Sequence, residues 1–145
     1  MRSKLLHEEG ERTYAVVFDQ GDEAIAGLEG FAREHGIGAA RFTGIGAFSG
    51  AVLAYFDRER REYERIPVSE QVELLSLLGD VAEEEGQPKV HAHAVVGRRD
   101  GSTLGGHLLE GHVWPTLEVV LDESPAHLRK RSDAETGLAL IDVEV

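Results

Sequence analysis

The 145-residue chain contains no cysteine. That absence excludes zinc–thiolate sites, cysteine nucleophiles and thiol redox switching together. Positive charge is also scarce: 15 Lys and Arg stand against 27 Asp and Glu, for a net charge of −12. Such a field repels phosphate, so the chain as a whole is poorly suited to nucleic acid. The basic residues it has are short runs mixed with acids, as in Asp57-Arg58-Glu59-Arg60-Arg61-Glu62, which is expected to be a solvated loop. His127-Leu128-Arg129-Lys130-Arg131 is the one locally basic patch, with Asp133 and Glu135 close behind. No apolar run approaches the ~20 residues of a membrane span. The N-terminal stretch Met1 to Glu8 has no signal-peptide core, so the cytoplasm is the expected compartment. The nucleophile elbow G-x-S-x-G, the zinc helix H-E-x-x-H and the phosphate-binding P-loop are all missing.

What is present is one domain's worth of chain, residues 1–145, with no internal repeat or linker. A chain this long buries roughly 68–70% of its unfolded surface and needs no disulfide to stay folded. Thr13-Tyr14-Ala15-Val16-Val17-Phe18 is a β-branched and aromatic run, expected as a strand. Gly21-Asp22 then opens a helix in which Ile25, Leu28, Ala32 and His35 share a stripe, and Gly36 sits where a C′ glycine belongs. Gly27 and Gly30 weaken that helix by up to ~1 kcal/mol each, or else permit close packing on a sheet.

The glycines at 44, 46 and 50 do not match G-x-G-x-x-G, and Ala51 to Phe56 reads as a strand rather than a helix. Bulges inside a sheet account for them better. A short strand from Tyr63 to Ile66 is expected to end at Pro67, and 83–88 to form a polar loop. Gln71 to Gly79 is almost continuously apolar, which periodicity alone leaves open between helix and buried strand. Trp114 to Asp122 alternates, with Leu117, Val119 and Leu121 on one face and Thr116, Glu118, Val120 and Asp122 on the other. Leu138 to Val143 closes the chain as a strand.

Chemistry concentrates around one predicted hairpin. In Val90-His91-Ala92-His93-Ala94 the two histidines are two apart and therefore share a face of a strand. The chain turns at 98–102, and Gly105-Gly106-His107 returns. A two-residue Asp100-Gly101 turn would pair 99 with 102 and set His107 opposite Ala94, on the wrong face. A three-residue loop, Arg99-Asp100-Gly101, pairs 98 with 102 and sets His107 opposite His93. That loop wants a left-handed third residue, and Gly101 occupies the position. Opposed Cβ atoms lie ~4.5–5.5 Å apart, within reach of one cation.

Three neutral imidazoles from His91, His93 and His107 suit Zn²⁺ at ~2.0–2.1 Å with a fourth position open, and other divalent transition metals fit the same ligands. Gly105-Gly106 leaves backbone room beside the metal. Glu118 is the candidate catalytic residue, as an acceptor behind a ligand or a base near bound water. Nothing fixes the face of His112, and His7, His35 and His127 are expected at the surface.

Glu73 to Gly79, His91-Ala92-His93, Asp100 to Leu108 and Leu117 to Leu121, together with Thr43-Gly44-Ile45-Gly46-Ala47, resemble the PPC (plants and prokaryotes conserved) domain. The likeness runs from about Thr13 to Val143 and points to the prokaryotic, stand-alone branch. The resemblance implies an α+β fold, a curved and mostly antiparallel sheet with one main packed helix, assembled as a homotrimer, with the 72–78 run as a strand. It also implies zinc on the residues matching His91, His93 and His107, and a fold like that of acetolactate decarboxylase. Plant members carry an Arg-Gly-Arg-Pro type AT-hook, and this chain has no such motif.

Three functions follow as expectations. One is a trimeric metal-binding module for a small anionic ligand. Another is a zinc-dependent lyase or hydrolase. The third is a DNA-binding regulator, the least favoured for so acidic a chain.

Overall fold

The alternation at 13–18 is realised as strand β2 (Thr13–Phe18), with Tyr14, Val16 and Phe18 turned into the core. The structure is a computed structural model that describes residues 1–7, 10–124 and 128–144. An unforeseen strand, β1 (Arg2–His7), pairs antiparallel with β2. Helix α1 (Ala24–Glu34) follows, capped by the Glu23 carboxylate, which accepts from the amides of Ile25 and Ala26 and also from Gly111 across the interface. Gly36 has the left-handed φ of +65° expected just past a helix C-terminus.

The helix lays Leu28, Phe31 and Ala32 on the sheet. Removing Leu28 or Phe31 from water is worth about 1.5–3 kcal/mol each. A Cβ on Gly27 would collide with the Phe18 ring, so close packing explains that glycine; one on Gly30 would meet nothing. His35 departs from expectation. It is half-buried, with Nδ1 3.0 Å from the Phe31 carbonyl and its ring stacked 4.1 Å from that of Phe31, because the helix end folds back onto the core. His127 lies outside the described residues.

The rest is one sheet with strands β3 (Ala39–Asp57), β4 (Glu62–Val68), β5 (Val72–Glu84), β6 (Gln87–Gly97), β7 (Thr103–Glu123), β8 (Arg129–Ser132) and β9 (Ala139–Asp142). Among the described residues all strand pairings are antiparallel except one short parallel contact, β5 to β8. Strands β3, β5, β6 and β7 pair in a closed circuit, so the sheet curls back on itself. Register shifts at Gly44–Gly46 and between Gly46 and Gly50 let the 19-residue β3 bend as one strand, as the glycine spacing implied.

Several boundaries moved. The β4 strand runs through Pro67 to Val68, since among the described residues β4 pairs only with β3 and its outer edge needs no donor there. The expected loop at 83–88 is a two-residue turn, Glu85 (φ 51°) and Gly86 (φ 77°), the pattern of a tight hairpin turn with both residues left-handed.

The 72–78 run is a strand but only half buried. A bulge between Leu74 and Ser76 keeps Leu74 and Leu77 inside while Leu75 and Leu78 face out, 52% and 56% exposed. Their apolar character is therefore a property of the outer face, which also carries Ile45, Val95 and Val120. Among the described residues, no helix is long and apolar enough to cross a membrane.

Candidate metal centre

The β6–β7 hairpin turns through Arg99-Asp100-Gly101. The Arg98 amide donates to the Ser102 carbonyl, the Gly101 amide to that of Arg98, and Gly101 has φ +83°. Asp100 Oδ1 braces the turn by accepting from the Ser102 amide at 2.9 Å and hydroxyl at 2.6 Å. The three-residue register follows: Gly97 pairs with Thr103, and His93 stands directly opposite His107. Ala92 and Ala94 point inward and are buried, which turns His91 and His93 outward.

The three rings converge. Their centroids are 5.1, 5.1 and 5.5 Å apart, and each contributes one nitrogen to a group whose members lie within 4.8 Å of one another. His91 Nε2 and His93 Nε2 stand 3.3 Å apart. Two nitrogens each ~2.0–2.1 Å from a tetrahedral zinc would be ~3.3–3.4 Å apart, so this pair already has the spacing of ligands on one ion.

His107 is the most enclosed of the three. It stacks on Tyr63 of β4 at 4.6 Å, and its Nδ1 is buried with no hydrogen-bond partner. Burial first, then the charges of His91, His93 and Lys130, push the His107 pKa down to about 4. Burial and the neighbouring His91 also lower that of His93. Both shifts favour the neutral imidazole, the form that keeps the lone pair a metal ligand needs. Three convergent imidazoles, one with a buried and unpartnered nitrogen on His107, fit a divalent transition metal.

Behind His91 stands a residue not singled out in the sequence. Asp80 on β5 is the cross-strand partner of His91, with Oδ2 3.7 Å from His91 Nδ1. Its other oxygen is 3.2 Å from Lys130 Nζ. Burial alone would raise the Asp80 pKa, but His91 and Lys130 outweigh it and hold the carboxyl below its ordinary value. The Glu85-Gly86 turn, read as a two-residue hairpin, would have paired 84 with 87 and therefore 80 with 91. No comparable signal pointed to Tyr63 or Lys130.

Glu118 is not brought to the triad. It pairs with Val17 and Ile45 and lines an open groove with Thr43, Ser76 and Leu78. From His93 the sheet crosses Leu78 and Thr43 to reach Val120, three strand spacings or roughly 14 Å, and Glu118 lies two residues further along β7. His112 is also apart, exposed, with Nε2 3.7 Å from Glu110. The room expected at Gly105-Gly106 is partly filled: a Cβ on Gly106 would lie 2.6 Å from the Ala54 carbonyl of β3, whereas one on Gly105 would make ordinary contacts.

The sequence profile of the Plants and Prokaryotes Conserved (PCC) domain matches residues 6–125. A plant- and prokaryote-conserved (PPC) protein of Pyrococcus horikoshii has a solved structure that is 36% identical, with a TM-score of 0.86 over 90% of this chain and 91% of that one. A metal-containing protein from Archaeoglobus fulgidus is 34% identical, with a TM-score of 0.84 over 95% and 98% of the two chains. A candidate DNA-binding protein from Bacteroides thetaiotaomicron is 26% identical, with a TM-score of 0.88 over 99% of each. Among curated proteins, the bifunctional protein GlmU of a Synechococcus strain is 30% identical over 136 residues, 92% of this chain; the chain spans only 21% of that protein's length. By profile, sequence and fold together, the chain belongs to the Plants and Prokaryotes Conserved domain family.

Proposed function

We propose that His91, His93 and His107 bind one divalent transition metal ion, zinc by donor chemistry, at a site with one coordination position left open. The observation that carries this is the convergence of three imidazoles from opposed positions of one hairpin, one of them with a buried, unpartnered nitrogen. The likeness to a metal-containing protein supports it. A bound ion with an open position is a Lewis acid suited to a small anionic ligand such as a carboxylate.

Copies of the same chain are the proposed partners, as a homotrimer. The outer sheet face supports this: Ile45, Leu75, Leu78 and Val120 line one groove there, all at least 46% exposed. The cytoplasm remains the proposed compartment. The lyase or hydrolase reading has less behind it, because Glu118 is distant from the triad within the chain and the nearer Asp80 is engaged by Lys130. DNA binding has least: Arg129, Lys130 and Arg131 are each paired with a carboxylate, Glu83, Asp80 and Asp142 respectively.

The test is metal content per chain in protein purified without a His-tag or added metal, beside a His91→Ala/His107→Ala double variant. Close to one zinc per chain, lost in the variant, is expected. No metal in either protein after reloading would overturn the proposal.

A further inference from the structure

We infer that Asp80 and Lys130 form a relay that sets the orientation and tautomer of His91, which makes the C-terminal strand β8 part of the metal centre; this rests on the metal reading above. His91 turns Nε2 toward His93, at 3.3 Å, and its other ring nitrogen, Nδ1, toward Asp80 Oδ2, at 3.7 Å. A carboxylate accepts and does not donate, so it selects the tautomer with hydrogen on Nδ1. That choice leaves the lone pair on Nε2, the atom that faces the cluster. At 3.7 Å the contact is longer than a hydrogen bond, so the carboxylate acts on His91 electrostatically, favouring hydrogen on the ring nitrogen that faces it.

Asp80 is itself held. Lys130 Nζ lies 3.2 Å from Oδ1, and the Lys130 side chain is only 6% exposed. An ammonium so enclosed is costly to bury unless paired, so the placement is specific. Its position comes from the backbone: Glu83 pairs with Arg129 in parallel, and the Glu83 amide donates to the Leu128 carbonyl. The neighbouring Arg129 and Arg131 side chains lie more than half in solvent, so Lys130 alone of this basic run is folded under the sheet. The family profile ends at residue 125, before β8 begins. Lys130 therefore lies beyond the matched profile, whereas Asp80 lies within it. Asp80 and Lys130 are positioning residues, acting through His91.

Two measurements test the relay together. Long-range proton–nitrogen correlation spectra of the metal-free protein at pH 8 report the His91 tautomer, and competition with a chromophoric chelator reports zinc affinity. Wild type is expected to show the Nδ1–H tautomer at His91. Asp80→Asn, whose amide can donate to Nδ1, is expected to lose that tautomer and to bind zinc about 10–100-fold more weakly. Lys130→Met is expected to shift both readouts the same way, and Lys130→Arg to restore them. An Nε2–H tautomer in wild type overturns the relay without reference to any variant. Zinc affinity that rises in Lys130→Met overturns the holding role of the lysine, because simple charge repulsion would then dominate. Zinc at one per chain with Asp80→Asn unchanged in both readouts removes the relay and leaves the metal site. The expected tautomer pattern in a protein that takes no zinc leaves the relay and removes the metal site.

Discussion

His93 and His107 are a directly opposed cross-strand pair, with ring centroids 5.5 Å apart at a mutual angle of 87°. Thirteen residues of chain lie between them, yet a single loop position decides that they meet. Gly101, at φ +83°, closes the three-residue turn that puts them in register. Shifting that register by one residue would send His107 to the opposite face.

The turn can be probed at that position. Gly101→Val is expected to lower stability by about 1–2 kcal/mol, the cost of a left-handed conformation for a side chain with a Cβ, and Gly101→Asn by clearly less. Urea unfolding of both variants measures this. Equal losses would show that backbone conformation is not what Gly101 supplies.

The two glycines before His107 should respond differently. Gly106→Ala places a methyl group 2.6 Å from the Ala54 carbonyl on a paired strand, where neither backbone can give easily. A loss of about 1–3 kcal/mol is expected, with weaker metal binding because His107 moves with its strand. Gly105→Ala meets its nearest atom at 3.4 Å and is expected to bind metal as wild type does. Thermal melts and chelator competition separate the two.

Acid should destabilise the metal-free protein through His107. In the unfolded chain its imidazole protonates near pH 6.5, whereas in the fold it stays neutral until about pH 4. Between those values the unfolded state binds more protons, so the stabilising contribution is complete above about pH 6.5 and is lost as pH falls toward 4. For a half-buried ring the loss is about 1–3 kcal/mol. Denaturant unfolding at pH 7, 5.5 and 4 should show it, and His107→Gln should flatten that part of the profile.

The outer sheet face gives a prediction about assembly. The chain is expected to sediment at three times its 15.8 kDa mass, and Leu78→Glu, which puts a charge in the centre of the apolar groove, to shift it toward monomer. A wild-type monomer at micromolar concentration would remove the homotrimer.

Duplex DNA should not bind specifically. At near-physiological salt no mobility shift is expected, given the net charge of −12 and the pairing of the 129–131 cations. A sequence-dependent shift surviving 150 mM salt would reverse this reading.

What the sequence determined by itself is what depends on neighbours along the chain. Alternation placed His91 and His93 on one face and Ala92 and Ala94 on the other. Turn chemistry at Gly101 set the partner of His93, and Glu85-Gly86 contained, unread, the partner of His91. Hairpin register is local: a few turn residues restrict it, and every side chain beyond the turn follows with a period of two. Only the tertiary structure decided what comes from afar. Tyr63 reaches His107 because β4 and β7 both pair with β3, and Lys130 reaches Asp80 through one parallel contact of β8 with β5. Glu118 was assigned to the site because it shares the outward face, yet facing the same side does not measure distance across a curved sheet. The apolar run at 72–78 looked buried because a sequence records that a residue is apolar, not whether a bulge turns it out of the core. Pairings between distant strands depend on the packing of the whole core, and no short stretch of residues encodes them.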